Sequence, residues 1–343
     1  MIKRSSVILS LAFAFAAAAG CASAQNVVTI YAADGLRDGK PNWFDTQFDA
    51  FTKDTGIKVQ YIESGSGEVI NRVEREKTNA QADVIVTLPP FIQKAAADGM
   101  LEAYTPADSA AIPANTRDPQ GRFYPLVNNY FCFIYNGSAL QAAPKSYDEL
   151  LDPKFKGKVQ YSTPGQAGDG TALMVLTFHA MGSKDAAFDY LKKLQVNNVG
   201  PSSSTGKLAA KVNKGELLVA NGDMQMNYAQ MRDNPNLRIF WPADAKGQRT
   251  TLSLPYYMGL VKGAPHSANG KKLIDFLVSK RAQESVSTLA RGLPARNDVT
   301  PTDDNYKQLH KFMEGVTVVT PDWDAVLRDL SKDVARWHEV TGT

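Results

Sequence analysis

Four short segments concentrate the hydroxyls, carboxylates and flexible backbone that a small charged ligand needs. Glu63-Ser64-Gly65-Ser66-Gly67-Glu68 has glycines that allow close backbone approach and two serines that can donate to an anion. It also reads as an ordinary N-capped helix start after a tight turn. Ser162-Thr163-Pro164-Gly165-Gln166-Ala167-Gly168-Asp169-Gly170-Thr171 pairs an anion-compatible backbone with a carboxylate, although Asp169 or Thr171 could serve only as a helix cap. Asn198 to Lys207 holds the densest set of hydroxyls, from Ser202 to Thr205. Five residues separate its Gly200 from Gly206, rather than the four of a nucleotide P-loop, and Leu208 stands where a magnesium-holding hydroxyl would be, which excludes ATP hydrolysis. In Pro255-Tyr256-Tyr257-Met258 the tyrosines face either a cleft or the core.

Catalytic constellations are thin. The four histidines, His179, His266, His310 and His338, are scattered, with no H-E-x-x-H, no G-x-S-x-G and no cysteine–histidine metal spacing. Cys132 lies in the apolar run Tyr130-Phe131-Cys132-Phe133-Ile134-Tyr135 and is expected to be a buried, unreactive thiol.

The elements that must carry these loops alternate. Val27–Ala32 reads as a strand, and Asn42–Asp54 as a helix with Phe44, Phe48 and Phe51 on one face and Gly56 as its stop. Strand Ile57–Ile62, helix Glu68–Thr78 and strand Asp83–Thr87 complete a β-α-β-α-β unit, which implies a parallel sheet covered by helices. Phe123–Tyr135 forms one long strand-rich stretch, followed by a short helix over Ser146–Pro153 with a proline stop. A second alternating run has strands at Lys158–Ser162 and Glu216–Ala220 and helices at Thr171–Met181, Lys184–Leu194 and Thr205–Lys214. Thr250–Val261 is again extended, ahead of helices at Ser267–Ser279 and Ala282–Ala290 and a terminal helix holding Trp323 and Trp337. Two extended stretches flanking an α/β unit suit a chain that leaves one lobe, builds a second and returns, so two lobes would meet at a two-strand hinge. A single large α/β enzyme domain is the competing arrangement.

Lys3 and Arg4 before the apolar run Val7–Ala19, with Ala22-Ser23-Ala24 behind it, predict a signal peptide over 1–24 that is cleaved before Gln25. A lipoprotein junction at Gly20-Cys21 is the alternative, and Ala18 stands where that junction prefers leucine. The run is too short for an ordinary membrane span. More than three hundred of the 343 residues remain, enough for two lobes. Losing Lys3 and Arg4 leaves 36 basic against 35 acidic residues, a net charge of +1 that offers no reason to bind nucleic acid. Cys132 is then the one remaining cysteine, so no internal disulfide can form.

A family resemblance rests on several of these segments. The leader, Thr29-Ile30-Tyr31-Ala32, Ser146 to Lys158 ending in Phe155-Lys156-Gly157-Lys158, Lys214-Gly215-Glu216, Phe276-Leu277-Val278-Ser279 and Gly292-Leu293-Pro294-Ala295-Arg296 resemble periplasmic solute-binding proteins of ABC importers. The branch is that of ferric-ion, thiamine and polyamine binders. Within it, Ala33-Asp34-Gly35, Gly65-Ser66-Gly67-Glu68, Thr87-Leu88-Pro89-Pro90-Phe91-Ile92-Gln93 and Asn128-Asn129-Tyr130 are similar to the group assigned to 2-aminoethylphosphonate uptake. The resemblance spans the mature chain. It implies a type II periplasmic binding protein with residues 25–127 in lobe 1, 128–258 in lobe 2, and 259–343 returning to lobe 1 and ending in the C-terminal helices.

It further implies a periplasmic, non-enzymatic, cofactor-free and monomeric protein. Its partners would be a small zwitterion or oxyanion and the transmembrane subunits of a permease. For such a ligand, Ser64, Ser66, Thr171, Ser203 and Thr205 are expected at the phosphonate, and Asp34, Glu68, Asp169, Asp223 and Tyr257 at the ammonium or orienting donors. Gly67, Pro89 and Asn129 are expected to line the site, and Lys207, an anion partner by charge, to turn to solvent. The rivals are a ferric-ion binder using Tyr256 and Tyr257, a polyamine or thiamine binder, and an exported phosphoester or phosphonate hydrolase.

Overall fold

The computed structural model describes residues 26–343; the leader and Cys21 lie outside the described residues. Val27–Ala33 (β1), Trp43–Thr55 (α1), Lys58–Ser64 (β2), Ser66–Arg75 (α2), Val84–Thr87 (β3), Phe91–Ala97 (α3) and Leu101–Glu102 (β4) come first. Phe123–Asn128 (β5) and Phe131–Asn136 (β6) follow, then Val159–Gln160 (β7), Gly168–Ala180 (α4), Lys184–Gln195 (α5), Leu208–Asn213 (α6), Val219–Asp223 (β8), Met224–Gln230 (α7), Leu237–Phe240 (β9) and Arg249–Leu252 (β10). The chain ends with Tyr256–Val261 (β11), Ser267–Val278 (α8), Lys280–Gln283 (α9), Leu293–Pro294 (β12), Asp304–Phe312 (α10), Val316–Val319 (β13) and Trp323–Thr341 (α11).

The strands form two main sheets. The larger has the order β12-β5-β11-β3-β1-β2, with β4 also on β11, and the smaller the order β7-β8-β6-β9. β1 pairs in parallel with β2 and β3, as the β-α-β-α-β pattern requires, but β11 and β5 add antiparallel strands, so the sheet is mixed rather than purely parallel. Alternation along β1 sends Ile30 to the side of Trp43, Phe44 and Leu277 and Tyr31 to the side of Val69, Ile70 and Ile92. β1 is thereby buried on both faces, while the edge strand β2 stays partly exposed. α1 is the helix predicted: Asn42 caps it by accepting from the Asp45 N–H, Gly56 ends it, and Phe44, Phe48 and Phe51 are buried.

Both long extended stretches break where the chain changes sheets. Phe123–Tyr135 splits at Asn129 into β5 of the large sheet and β6 of the small one. Thr250–Val261 splits into β10, which pairs with β13, and β11 of the large sheet. The crossings touch: Tyr130 bridges Ser253, and the Leu254 N–H donates to the Asn129 carbonyl at 2.9 Å. These are the two hinge strands.

Other boundaries move for local reasons. The helix expected over Ser146–Pro153 is two short 3-10 turns, Asp148–Leu151 and Pro153–Phe155, and Pro153 begins the second turn rather than stopping the first. The strand expected at Lys158–Ser162 is reduced to β7. The helix predicted from Thr205 starts at Leu208, because Thr205 bonds Ser162 instead. Ala282–Ala290 divides into α9 and a π turn over Val286–Ala290. Cys132 is buried, and burial pushes its thiol well above the ordinary value, which keeps it unreactive.

α11 lies along α5, joined by Lys184 to Asp329 and Asp333 at 2.8 and 2.7 Å and by Arg336 to Asp185 at 2.7 Å. Among the described residues no helix is long and apolar enough to cross a membrane.

Candidate binding cleft

β1, β2 and β3 run in parallel, so their carboxyl ends deliver Asp34, Ser64 and Leu88 to one edge of the large sheet. β7 and β8 likewise deliver Ser162 and Asp223 to an edge of the small one. These edges face each other, as ligand-binding loops of open α/β sheets do. Between them lies a cavity of about 480 Å³ lined by Asp34, Glu63, Ser64, Gly65, Glu68, Asn71, Gln166, Ser203, Ser204 and Lys207.

Two helix N-termini meet at this seam. α2 begins after Gly65 and α4 after Ala167, and neither has a side-chain cap, so the capping alternative for Ser64, Ser66, Asp169 and Thr171 does not hold. The Gly67 N–H donates to the Gln166 carbonyl at 2.9 Å. A Cβ at Gly67 would lie 2.6 Å from that oxygen, so the contact requires glycine. Converging, uncapped N-termini concentrate positive potential, which favours an anion.

Carboxylates gather on the inner side. Asp169 is buried with Oδ1 unpartnered, and Asp223 is fully buried, capping α7 through the Met226 N–H at 2.7 Å. The Tyr256 hydroxyl lies 3.0 Å from Asp223 Oδ2 and 2.9 Å from the Asp34 carbonyl. Burial, then the charge of Asp223, holds the Asp169 carboxyl well above its ordinary value. Burial likewise lifts Asp223 to about 6, against the Met226 N–H, Asn129 and Tyr256. Asp34 is raised by burial too, offset by the donors Ser204 and Gly206. Among the described residues neither Asp169 nor Asp223 has a basic ion-pair partner.

The predicted site residues fall into three groups. Asp34, Ser64, Glu68 and Ser203 line the cavity, with Glu68 tied to Arg75 at 2.6 Å and Lys207 exposed at the wall. Ser66, Gly67, Pro89, Asn129, Asp169, Thr205 and Asp223 are buried at or near the seam. Asn129 accepts from the Tyr130 and Gln225 N–H groups, and Thr205 donates to Ser162 Oγ at 3.0 Å. Thr171 and Tyr257 belong to neither group. The Thr171 hydroxyl is used within its own loop, between the Gly165 N–H and the Ala167 carbonyl. Tyr257 packs edge-on against Phe123, 5.2 Å away, among the apolar residues of α2 and α3. Strand alternation gives the seam to Tyr256 instead, a residue the sequence left undecided. Ser204, Gln166, Asn71 and Gln225 were not singled out; of these, Ser204 and Gln166 stand in the loops the sequence marked.

Two α/β lobes facing across a hinged cleft define a type II periplasmic binding protein. The chain belongs to the bacterial extracellular solute-binding proteins, whose family model matches residues 79–328. A protein of Salmonella typhimurium strain LT2 named "Putative 2-aminoethylphosphonate-binding periplasmic protein" is 57% identical over 333 residues, covering 97% of this chain and 98% of that protein. The Fe(3+)-binding periplasmic protein of Serratia marcescens is 27% identical, covering 81% of each chain. Among solved structures, the periplasmic binding protein AfuA from Actinobacillus pleuropneumoniae, with fructose-6-phosphate bound, superposes with a TM-score of 0.77 at 22% identity, covering 92% of this chain and 98% of that one. Membership makes this chain a solute-binding component of an importer, with a small-molecule ligand and a membrane permease as its partners.

Proposed function

We propose that the chain captures 2-aminoethylphosphonate in the interlobe cleft and delivers it to its permease, as a non-enzymatic carrier. The observation that carries this reading is the pairing of opposite chemistries in one cleft. Two uncapped helix N-termini and a hydroxyl-rich wall stand beside buried carboxylates that lack a cation. A phosphonate suits the first end, through Ser64, Ser203 and the backbone around Ser66 and Gly67, with Thr205 behind them. An ammonium suits the second, at Asp169 and Asp223 with Asn129 and Tyr256 orienting them. The name of the Salmonella relative supports the same ligand.

The lobes divide near residues 127 and 258, 25–127 and the return from 259 on one side and 128–258 on the other, with β11 kept whole in the large sheet and α10, β13 and α11 travelling with the second lobe. The signal peptide is removed near Ala24-Gln25, and the mature protein acts as a periplasmic monomer. A ligand of this size, at a ceiling of about −1.5 kcal/mol per heavy atom, can gain roughly −10 kcal/mol, which corresponds to tens of nanomolar. Reaching that requires contacts from both lobes, so closure accompanies capture.

The ferric reading loses its ligand pair, since Tyr256 and Tyr257 point to opposite faces of β11. Calorimetric titration of protein stripped of carried-over ligand, with 2-aminoethylphosphonate beside ethylphosphonate, phosphate, putrescine and ferric citrate, tests the proposal. Tight one-to-one binding that needs both amine and phosphonate is expected. Binding of ferric ion or putrescine alone would discard this ligand, and turnover of a chromogenic phosphoester would revive the hydrolase.

A further inference from the structure

Asp34 carries the charge expected of an ammonium contact, yet its carboxylate is already engaged across the seam. Its Oδ2 accepts from the Ser204 hydroxyl at 2.6 Å and from the Gly206 N–H at 2.7 Å, both in the opposite lobe. The Gly206 peptide is held on its other side as well, because its carbonyl accepts from Gln230 Nε2 at 2.9 Å. The same Gln230 nitrogen reaches Asp38 Oδ2 at 3.0 Å. The turn Asp34–Asp38 at the end of β1 thus holds Gly206 of the hydroxyl-rich loop directly by its N–H, through Asp34, and indirectly by its carbonyl, through the Gln230 side chain that Asp38 engages. A Cβ at Gly206 would lie 2.6 Å from Asp34 Oδ2, so any side chain there would push the carboxylate out of this contact. On the lobe 1 side, the Asp34 N–H donates to the Ser64 carbonyl at 3.2 Å and its carbonyl meets Tyr256, so the carboxylate is presented from a fixed backbone.

We propose that Asp34 is a positioning residue, the clasp of the closed cleft: it holds the Ser204–Gly206 loop against lobe 1 and sets how long any ligand is retained, without distinguishing one ligand from another. The charges facing it are consistent with this role. Asp38, Asp169 and Asp223 surround it with like charge, and Lys207 is the cation that favours its ionised form. An acceptor there is stabilised by donors it reaches only when the lobes meet. An ammonium would be drawn instead to Asp169, whose Oδ1 has no partner. The clasp rests on the cleft being the ligand site, not on which ligand fills it.

The test compares wild type with Asp34→Ala, Asp34→Asn and Gly206→Ala, checked for folding by thermal melts. 2-Aminoethylphosphonate and the amine-free ethylphosphonate are measured by stopped-flow dissociation and by competition, and the saturated proteins by small-angle scattering. Asp34→Ala and Gly206→Ala break the same contact from opposite lobes, so both should weaken both ligands by the same factor, about tenfold or more. The loss should lie in faster dissociation, with a larger radius of gyration at saturation. Asp34→Asn should recover part of it, because an amide oxygen accepts the same two hydrogen bonds. A loss confined to the amine-bearing ligand would make Asp34 an ammonium contact and overturn the clasp, as would unchanged dissociation in both variants. Should wild type bind ferric citrate or putrescine instead, the ligand assignment falls alone and the same comparison with that ligand decides the clasp.

Discussion

At the scale of single residues, the proposed site separates groups expected to meet the ligand from groups that shape the protein. Asp169 is the clearest of the first kind, a buried carboxylate with an oxygen left unpartnered beside Asp223. Asp169→Asn should weaken 2-aminoethylphosphonate by about tenfold to a hundredfold while leaving ethylphosphonate within about twofold, measured by calorimetry. Equal losses for both ligands would move the ammonium elsewhere. The two tyrosines of β11 give a sharper contrast. Tyr256→Phe removes a hydroxyl that touches both Asp34 and Asp223 and should weaken binding by several-fold. Tyr257→Phe removes one from the helix-covered face and should leave affinity unchanged. Loop position alone brought Ser64, Ser203, Asp169 and Asp223 to the seam, because a loop at the carboxyl end of a parallel strand has one destination. It could not choose between adjacent tyrosines, since both sides of this strand are buried and either parity reads as apolar.

At the scale of elements, helices with strong apolar periodicity were legible and short polar ones were not. α1 announces itself through three phenylalanines, an asparagine cap and a glycine stop. α7, Met-Gln-Met-Asn-Tyr-Ala-Gln, has no such pattern, yet it carries Gln225 and Gln230 to the other lobe. Its signal is tertiary: Asp223 both caps it and meets Tyr256. The hinge was legible as two extended stretches, but the change of sheet within each depends on pairing partners far along the chain. Gly67 shows how an element boundary becomes functional, because α2 and α4 can approach only through its missing side chain. Gly67→Ala should hold these N-termini apart and lower affinity for every ligand by about tenfold or more, with a modest fall in melting temperature from the added crowding of Phe91, 3.2 Å from the new Cβ. α11 predicts the opposite pattern. Its Asp333 is nearly buried and pairs with Lys184 of α5, so Asp333→Ala should cost stability, on the order of 1–2 kcal/mol in urea unfolding, and leave affinity alone.

At the scale of the whole molecule, the acid cluster makes stability depend on pH in an unusual direction. Asp118, Asp152, Asp298 and Asp329 are held below their ordinary values, and their contribution is lost only in strong acid. Asp34, Asp169 and Asp223 are displaced the other way, chiefly by burial. In the unfolded chain such a carboxyl titrates near 3.8, whereas Asp223 folded titrates at about 6. Between those values the folded state binds more protons than the unfolded one, so stability falls as pH rises through the window. For Asp223 alone the fall is roughly 3 kcal/mol, and Asp169, raised in the same direction by burial, adds to it. Ligand-free protein should therefore resist urea better near pH 5 than near pH 7.5, and Asp223→Asn should flatten that slope while keeping the cap on Met226. A bound ammonium supplies the missing cation and stabilises the ionised cluster, so 2-aminoethylphosphonate should flatten the slope in wild type as well. Ethylphosphonate, with no amine, should leave it steep. If both ligands flattened it equally, the carboxylates would not be the cationic end of the site, and the relief would have to come from closure alone.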